Sequence, residues 1–162
     1  MVSGTWEPDQ AERNAAWELY VEFVTRVAVV ELGPHEGLLR EALNSLHALF
    51  GITRDILRRY GPSVAPKDKE QAISFGGLAV AVLNGALRPL LAHWHPALGA
   101  YEATRPPGAS PVEHERAWGQ AAELRSELAK TREVLTEFAR TLGEVAGASS
   151  LLPEDAAGTA GR

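Results

Sequence analysis

Leu39, Leu43, Leu46, Phe50, Thr53, Leu57 and Tyr60 follow one another at steps of four, three, four, three, four and three without a gap. A helix puts residues so spaced on one face, whereas a strand, whose side chains alternate, would scatter them. The same step recurs along most of the chain. Before this run it takes in Trp17, Tyr20, Val24 and Val27. After it come Ile73, Gly77, Val80, Asn84, Leu87, Leu91, Trp94 and Leu98, then Ala117, Ala121, Leu124, Leu128, Thr131, Leu135, Phe138, Leu142 and Val145. No alternating run with a hairpin signal interrupts them. Four seams of seven-residue period predict an all-α chain.

Punctuation sets the boundaries. Gly33-Pro34, Gly61-Pro62 and the stretch Arg105-Pro106-Pro107-Gly108-Ala109 each stop a helix, because proline cannot continue one and glycine suits its C-terminal turn. Ser110, Pro111 and Glu113 predict a capping box, in which the serine and the glutamate would satisfy each other's backbone N–H groups. Helices are therefore expected near residues 9–31, 35–60, 69–101 and 111–146. Short connections between long helices predict an antiparallel up-down-up-down four-helix bundle over residues 1–147. Pro89 inside the third helix removes a backbone bond to Gly85 and predicts a kink there. Leu46, Phe50, Val80, Leu87, Leu128, Leu135 and Phe138 are the expected core. Residues 148–162, mostly Ala, Ser, Gly and acidic, read as a flexible C-terminal tail.

Composition narrows the function classes. The chain has 162 residues, 45% of them hydrophobic, and a formal net charge of −5. An acidic chain does not collect phosphates, which argues against a general nucleic-acid binder and against a basic membrane-surface protein. With no cysteine, disulfides, thiolate metal sites and cysteine nucleophiles are excluded. No Glu-x-x-His and no His-x-x-x-His occurs, and no phosphate-cradling or dinucleotide-binding loop, so neither a metal nor another cofactor is expected. The polar stretch from Met1 to Gln10 lacks the features of a signal peptide, so the expectation is a cytoplasmic protein. Thirteen arginines against three lysines, with abundant Ala, Gly and Leu, is the usage of a high-GC bacterial genome.

The third helix breaks the pattern. From Gln71 to Leu87 it carries no charge, and Arg88 is the one charged residue between Gln71 and Tyr101. Around Pro89 it gathers Asn84, Arg88, His93 and His95. At 100° per residue Asn84, Arg88 and His95 share a stripe, while His93 falls on the outer face. Asn84 is expected to be buried and hydrogen-bonded, with Arg88 at the bundle's edge beside His95, Asn84 and Arg88 satisfying the polar groups of the kink. The spacings Arg88 to His93 and Arg88 to His95, and also Arg40 to His47, are similar to the Arg-x(4–6)-His motif of HEPN-type ribonucleases. That resemblance implies a dimeric helical bundle cleaving RNA without a metal, its Arg and His activating the 2′-hydroxyl and stabilising the phosphorane. The chain departs from the family's usual pattern in having proline directly after Arg88.

With no complete catalytic set assembled by the sequence itself, the leading expectation is a protein–protein interaction module: an adaptor or effector-associated bundle that binds another protein or itself as a homodimer. The alternatives are a ribonuclease built on Arg88 with His93 or His95, and a membrane-active, pore-forming bundle using the uncharged third helix. That uncharged stretch sits at the short edge of spanning length, and its apolar face is expected to be used in the core.

Overall fold

The computed structural model describes residues 6–26, 38–67 and 73–152. Every regular element among the described residues is helical: α1 (Gln10–Val24), α2 (Leu39–Tyr60), a 3₁₀ turn (Gly61–Val64), α3 (Phe75–Val82), a π turn (Leu83–Leu87), α4 (Arg88–Glu102), α5 (Pro111–Arg116) and α6 (Ala121–Ala146). α3, the π turn and α4 run on as one helix from Phe75 to Glu102. The ends expected near residues 27–31, 35–37 and 69–72 lie outside the described residues.

Local chemistry accounts for the boundaries. Asp9 caps α1 by accepting the Glu12 N–H at 2.9 Å, and Glu12 returns the bond to the Asp9 backbone, which closes a capping box. Ser110 accepts the Glu113 N–H at 3.4 Å and starts α5, half of the expected capping box, since Glu113 does not return a bond to the Ser110 backbone. Gly61 (φ 63°) ends α2 and Gly147 (φ 70°) ends α6, both in a region that a side chain disfavours.

The starts of α2 and α3 are completed from far away. Leu38, at the head of α2, offers no side-chain cap. The buried Glu115 of α5 takes that place, accepting the Leu39 N–H at 2.7 Å and the Arg40 N–H at 3.4 Å. At the head of α3, fully buried Glu12 accepts the Phe75 N–H at 3.0 Å and the Trp6 indole N–H at 2.8 Å. A carboxylate at a helix start satisfies N–H groups that the helix leaves unpaired and meets the positive end of its dipole.

α1 packs most extensively on α6. The Phe23 and Phe138 rings meet edge to face at 5.4 Å. Gly143 makes room for Tyr20, whose ring would stand 3.2 Å from a Cβ at that position. The Tyr20 hydroxyl accepts the Leu151 N–H at 2.6 Å. Of the expected C-terminal tail, Ala148 and Leu152 pack against the core, and residues 153–162 lie outside the described residues.

Several expectations need correction. The helix expected over residues 111–146 breaks at Ala117–Gln120. There Trp118 turns inward, its indole stacking on Tyr101 at 5.5 Å and meeting Trp94 edge-on at 5.9 Å. On the third helix, Val80 and Asn84 are exposed instead of buried, and the core face is Phe75, Gly76, Ala79, Leu83, Leu87, Leu91, Trp94 and Leu98. Downstream of Leu87 this is the expected seam; upstream it is displaced by one residue.

The π turn is the cause of that displacement. Pro89 has no N–H to give the Gly85 carbonyl, and the Arg88 N–H reaches back five residues to Leu83. The extra residue in that turn rotates α3 relative to α4. Leu46, Leu87, Leu135 and Phe138 are buried as expected, whereas Phe50 and Leu128 are half-buried. Trp17, expected on the core face of α1, is 43% exposed; Tyr20 of the same expected face is buried, and Ala15, Ala16, Leu19 and Phe23 complete the core there.

Candidate functional site

Arg40 and His47 stand seven residues apart on α2, and Arg88, His95 and Glu102 stand seven apart on α4. Seven residues are nearly two turns, so each set lines one edge of its helix. The pairs formed across the two helices are Arg40 with Glu102, Arg40 and His47 with His95, and Phe50 with Arg88. Partner numbers fall along α4 as they rise along α2, so these two helices run antiparallel. The result is a polar strip along their seam.

Its centre is Arg40. The guanidinium donates through Nε to Glu102 Oε1 at 2.8 Å and makes a second bond to the same oxygen. It also donates through a terminal nitrogen to His95 Nδ1 at 2.7 Å. Arginine has no acceptor, so His95 Nδ1 must be the unprotonated nitrogen and the ring proton sits on Nε2. Nε2 is buried and has no hydrogen-bond partner among the described residues. The His47 ring meets the His95 ring edge-on at 5.5 Å. Burial, then the Arg40 charge, then His47 hold the His95 pKa below its ordinary value, against the pull of Glu102. His95 is therefore a neutral, half-buried imidazole clamped from one side.

Asn84, Arg88 and His95 do not form one group. Arg88 Nε donates to Asn84 Oδ1 at 3.0 Å on the exposed surface, and its guanidinium lies 5.5 Å from the centroid of the Phe50 ring. The expected burial of Asn84 is overturned by the register shift, and the expected pairing of Arg88 with His95 is replaced by Arg40 with His95. His93 is exposed, as its outer-face position implied, with its ring 4.7 Å from that of Trp94.

Glu102, which sequence reasoning did not single out, and Arg40, singled out only for its spacing to His47, are its charged partners. The signal for them was the shared seven-residue spacing with His47 and His95. Among the described residues no three acidic or imidazole side chains cluster to hold a metal ion.

At the end of the strip lies a pocket of about 320 Å³ between Arg40, Glu102, Arg105, His114 and Glu115. Its charged groups are largely satisfied by one another: Arg40 by Glu102, Glu115 by the start of α2, and Arg105 by the Ala109 carbonyl at 3.2 Å. The His114 ring stacks on Tyr101 at 4.2 Å, and the Tyr101 hydroxyl donates to the His114 carbonyl at 2.6 Å. This arrangement ties α4, α5 and the start of α2 together; of the pocket's cations Arg40 is paired with a carboxylate, whereas Arg105 is held, among the described residues, only by a backbone carbonyl. Compared with known proteins, the chain matches no family model, no curated protein and no solved structure.

Proposed function

We propose that this chain is a protein–protein interaction module, a cytoplasmic helical bundle of up-down-up-down topology that self-associates through the outer face of α3 and the π turn. The observation that carries the reading is an exposed, uncharged stripe of Gly77, Val80, Ala81, Asn84 and Gly85, with Val80 43% exposed. Gly77, Ala81 and Gly85 recur every four residues, which lets another helix approach closely. Two copies of an uncharged stripe also meet without opposing like charges, a point that matters for a chain of net charge −5. Asn84 Oδ1 already accepts from Arg88 Nε, so it is the amide N–H groups of Asn84 that are offered to a second copy.

Sedimentation of the wild type against Ala81→Glu tests this. A concentration-dependent dimer is expected for the wild type, and a monomer with an unchanged melting curve for the variant. A wild-type chain that stays monomeric across the concentration range would refute self-association.

The membrane reading keeps one specific support. Phe75–Glu102 is long and apolar enough to cross a bilayer, with a mean hydropathy of 1.5 and 39% burial over its most apolar window. Dye release from liposomes would favour that reading over ours. The ribonuclease reading has less behind it, because Arg88 pairs with Asn84 and with neither histidine, Arg40 occupies one nitrogen of His95, and burial removes the other from a substrate's reach. Metal-independent RNA cleavage lost in both Arg88→Ala and His95→Ala, without unfolding, would revive it.

A further inference from the structure

A second surface lies between α1 and α2, away from both the α3 stripe and the polar strip. It is an open groove of about 340 Å³ with Val21, Ile52 and Ile56 as its apolar floor. Trp17, which shares that groove, keeps 43% of its surface in solvent. An exposed indole beside an apolar floor is the kind of anchor on which protein interfaces concentrate their energy.

The rim is acidic. Glu18, Glu22 and Asp55 face a single lining cation, Arg59. Arg59 is engaged by Glu18, which also accepts the Tyr60 hydroxyl at 2.6 Å. Glu22 holds Arg26 at 2.9 Å. Asp55 has no hydrogen-bond or ion-pair partner among the described residues.

We propose that this groove docks a basic amphipathic helix of a partner protein. The partner's apolar side chains would seat on Val21, Ile52 and Ile56 against Trp17, and a lysine or arginine would reach Asp55. Three features favour that occupant. The space between two packed helices accepts the ridge of a third. The Trp17 indole face attracts a cation as well as an apolar group. With Glu18 and Glu22 matched by Arg59 and Arg26, Asp55 is the carboxylate left for a partner's cation, and the chain's net charge of −5 favours a basic partner. This inference deepens the interaction-module reading but uses a different surface, so a chain found to be monomeric can still bind here.

The test uses the full chain, isotope-labelled, and a synthetic helical peptide of roughly 18 residues, about five turns. The peptide carries leucine at positions i, i+3, i+4 and i+7 and lysine elsewhere; a second peptide has glutamate for every lysine. The lysine peptide is expected to shift the backbone amides around Trp17–Glu22 and Ile52–Arg59. Asp55→Lys and Trp17→Ala are each expected to weaken binding about tenfold. Glu133→Lys, which changes net charge equally on the exposed face of α6, should leave it unchanged. Asp55 is exposed, so Asp55→Lys should melt with the wild type; Trp17→Ala gives up the buried part of the indole, so its binding is measured well below its own melting temperature. Amide shifts that are absent or located elsewhere, equal binding of the glutamate peptide, or an equal loss with Glu133→Lys would overturn the proposal.

Discussion

Replacing Glu12 by alanine removes a carboxylate with no solvent exposure that serves two helix starts. Left behind are the Phe75 N–H, 3.0 Å from the lost oxygen and on a fully buried residue, and the Trp6 indole N–H at 2.8 Å. A buried donor without a partner costs about 1–3 kcal/mol. Against that stands the relief of no longer burying a charge. The balance, with the capping box of α1 also lost, is about 3 kcal/mol of destabilisation. For a chain of this size that is roughly a 6–12 °C fall in Tm. Glu12→Gln keeps an acceptor for the Phe75 N–H while giving up the charge, so its cost should be about 1 kcal/mol. Thermal and urea melts followed by far-UV circular dichroism measure both. An alanine variant melting within about 2 °C of the wild type would refute the view that this carboxylate holds α1 to α3.

The remaining expectations are simpler to check by the same melts. Gly76→Ala should destabilise by about 1–3 kcal/mol, since its Cβ would lie 3.1 Å from both the Val64 carbonyl oxygen and the Ala65 methyl. Gly85→Ala meets nothing within 4 Å and should stabilise by up to about 1 kcal/mol, while weakening any dimer formed through the α3 stripe. His95 titrates below its ordinary 6.5 in the fold, so the unfolded chain binds the proton first. Its stabilising contribution is full above pH 6.5 and is lost as pH falls through the folded value; His95→Gln should remove that part of the acid slope. Ser110→Ala should cost about 0.5–1 kcal/mol, toward the low end for an N-cap, because its bond to the Glu113 N–H is long at 3.4 Å.

Helical periodicity was enough to recover the long helices and most of their core, because burial in a helix repeats with the turn and leaves its trace in spacing. It failed where the turn itself changed. The seam through Val80 and Asn84 assumed a constant pitch, and the π turn at Leu83–Leu87 broke that assumption. Pro89 and Gly85 signalled a disturbance but not its sense, since a proline in a helix is compatible with a bend or with a widened turn. The break before α6 had a similar sign in Trp118-Gly119, hidden because Ala117 and Ala121 still kept step.

The polar site was read from one helix alone, which placed Arg88 next to His95. Which arginine reaches that histidine depends on the helix lying alongside, and α2 brings Arg40. The burial of Glu12 and Glu115 left no comparable trace. A glutamate is buried here because of the unpaired N–H groups of a helix distant in sequence, and spacing along its own helix carries no record of them.

The two carboxylate caps also bear on how long a native molecule lasts. They join positions 63 and 76 residues apart, so each bond closes a large loop and follows the ordering of the helices it connects. Contacts of that kind form late, and their loss shows in the unfolding limb of the kinetics. Stopped-flow measurements on Glu12→Ala and Glu115→Ala should find faster unfolding with refolding rates close to the wild type. By that reasoning the glutamates do little to speed assembly; they set the lifetime of the folded chain against transient opening and the proteolysis that follows it.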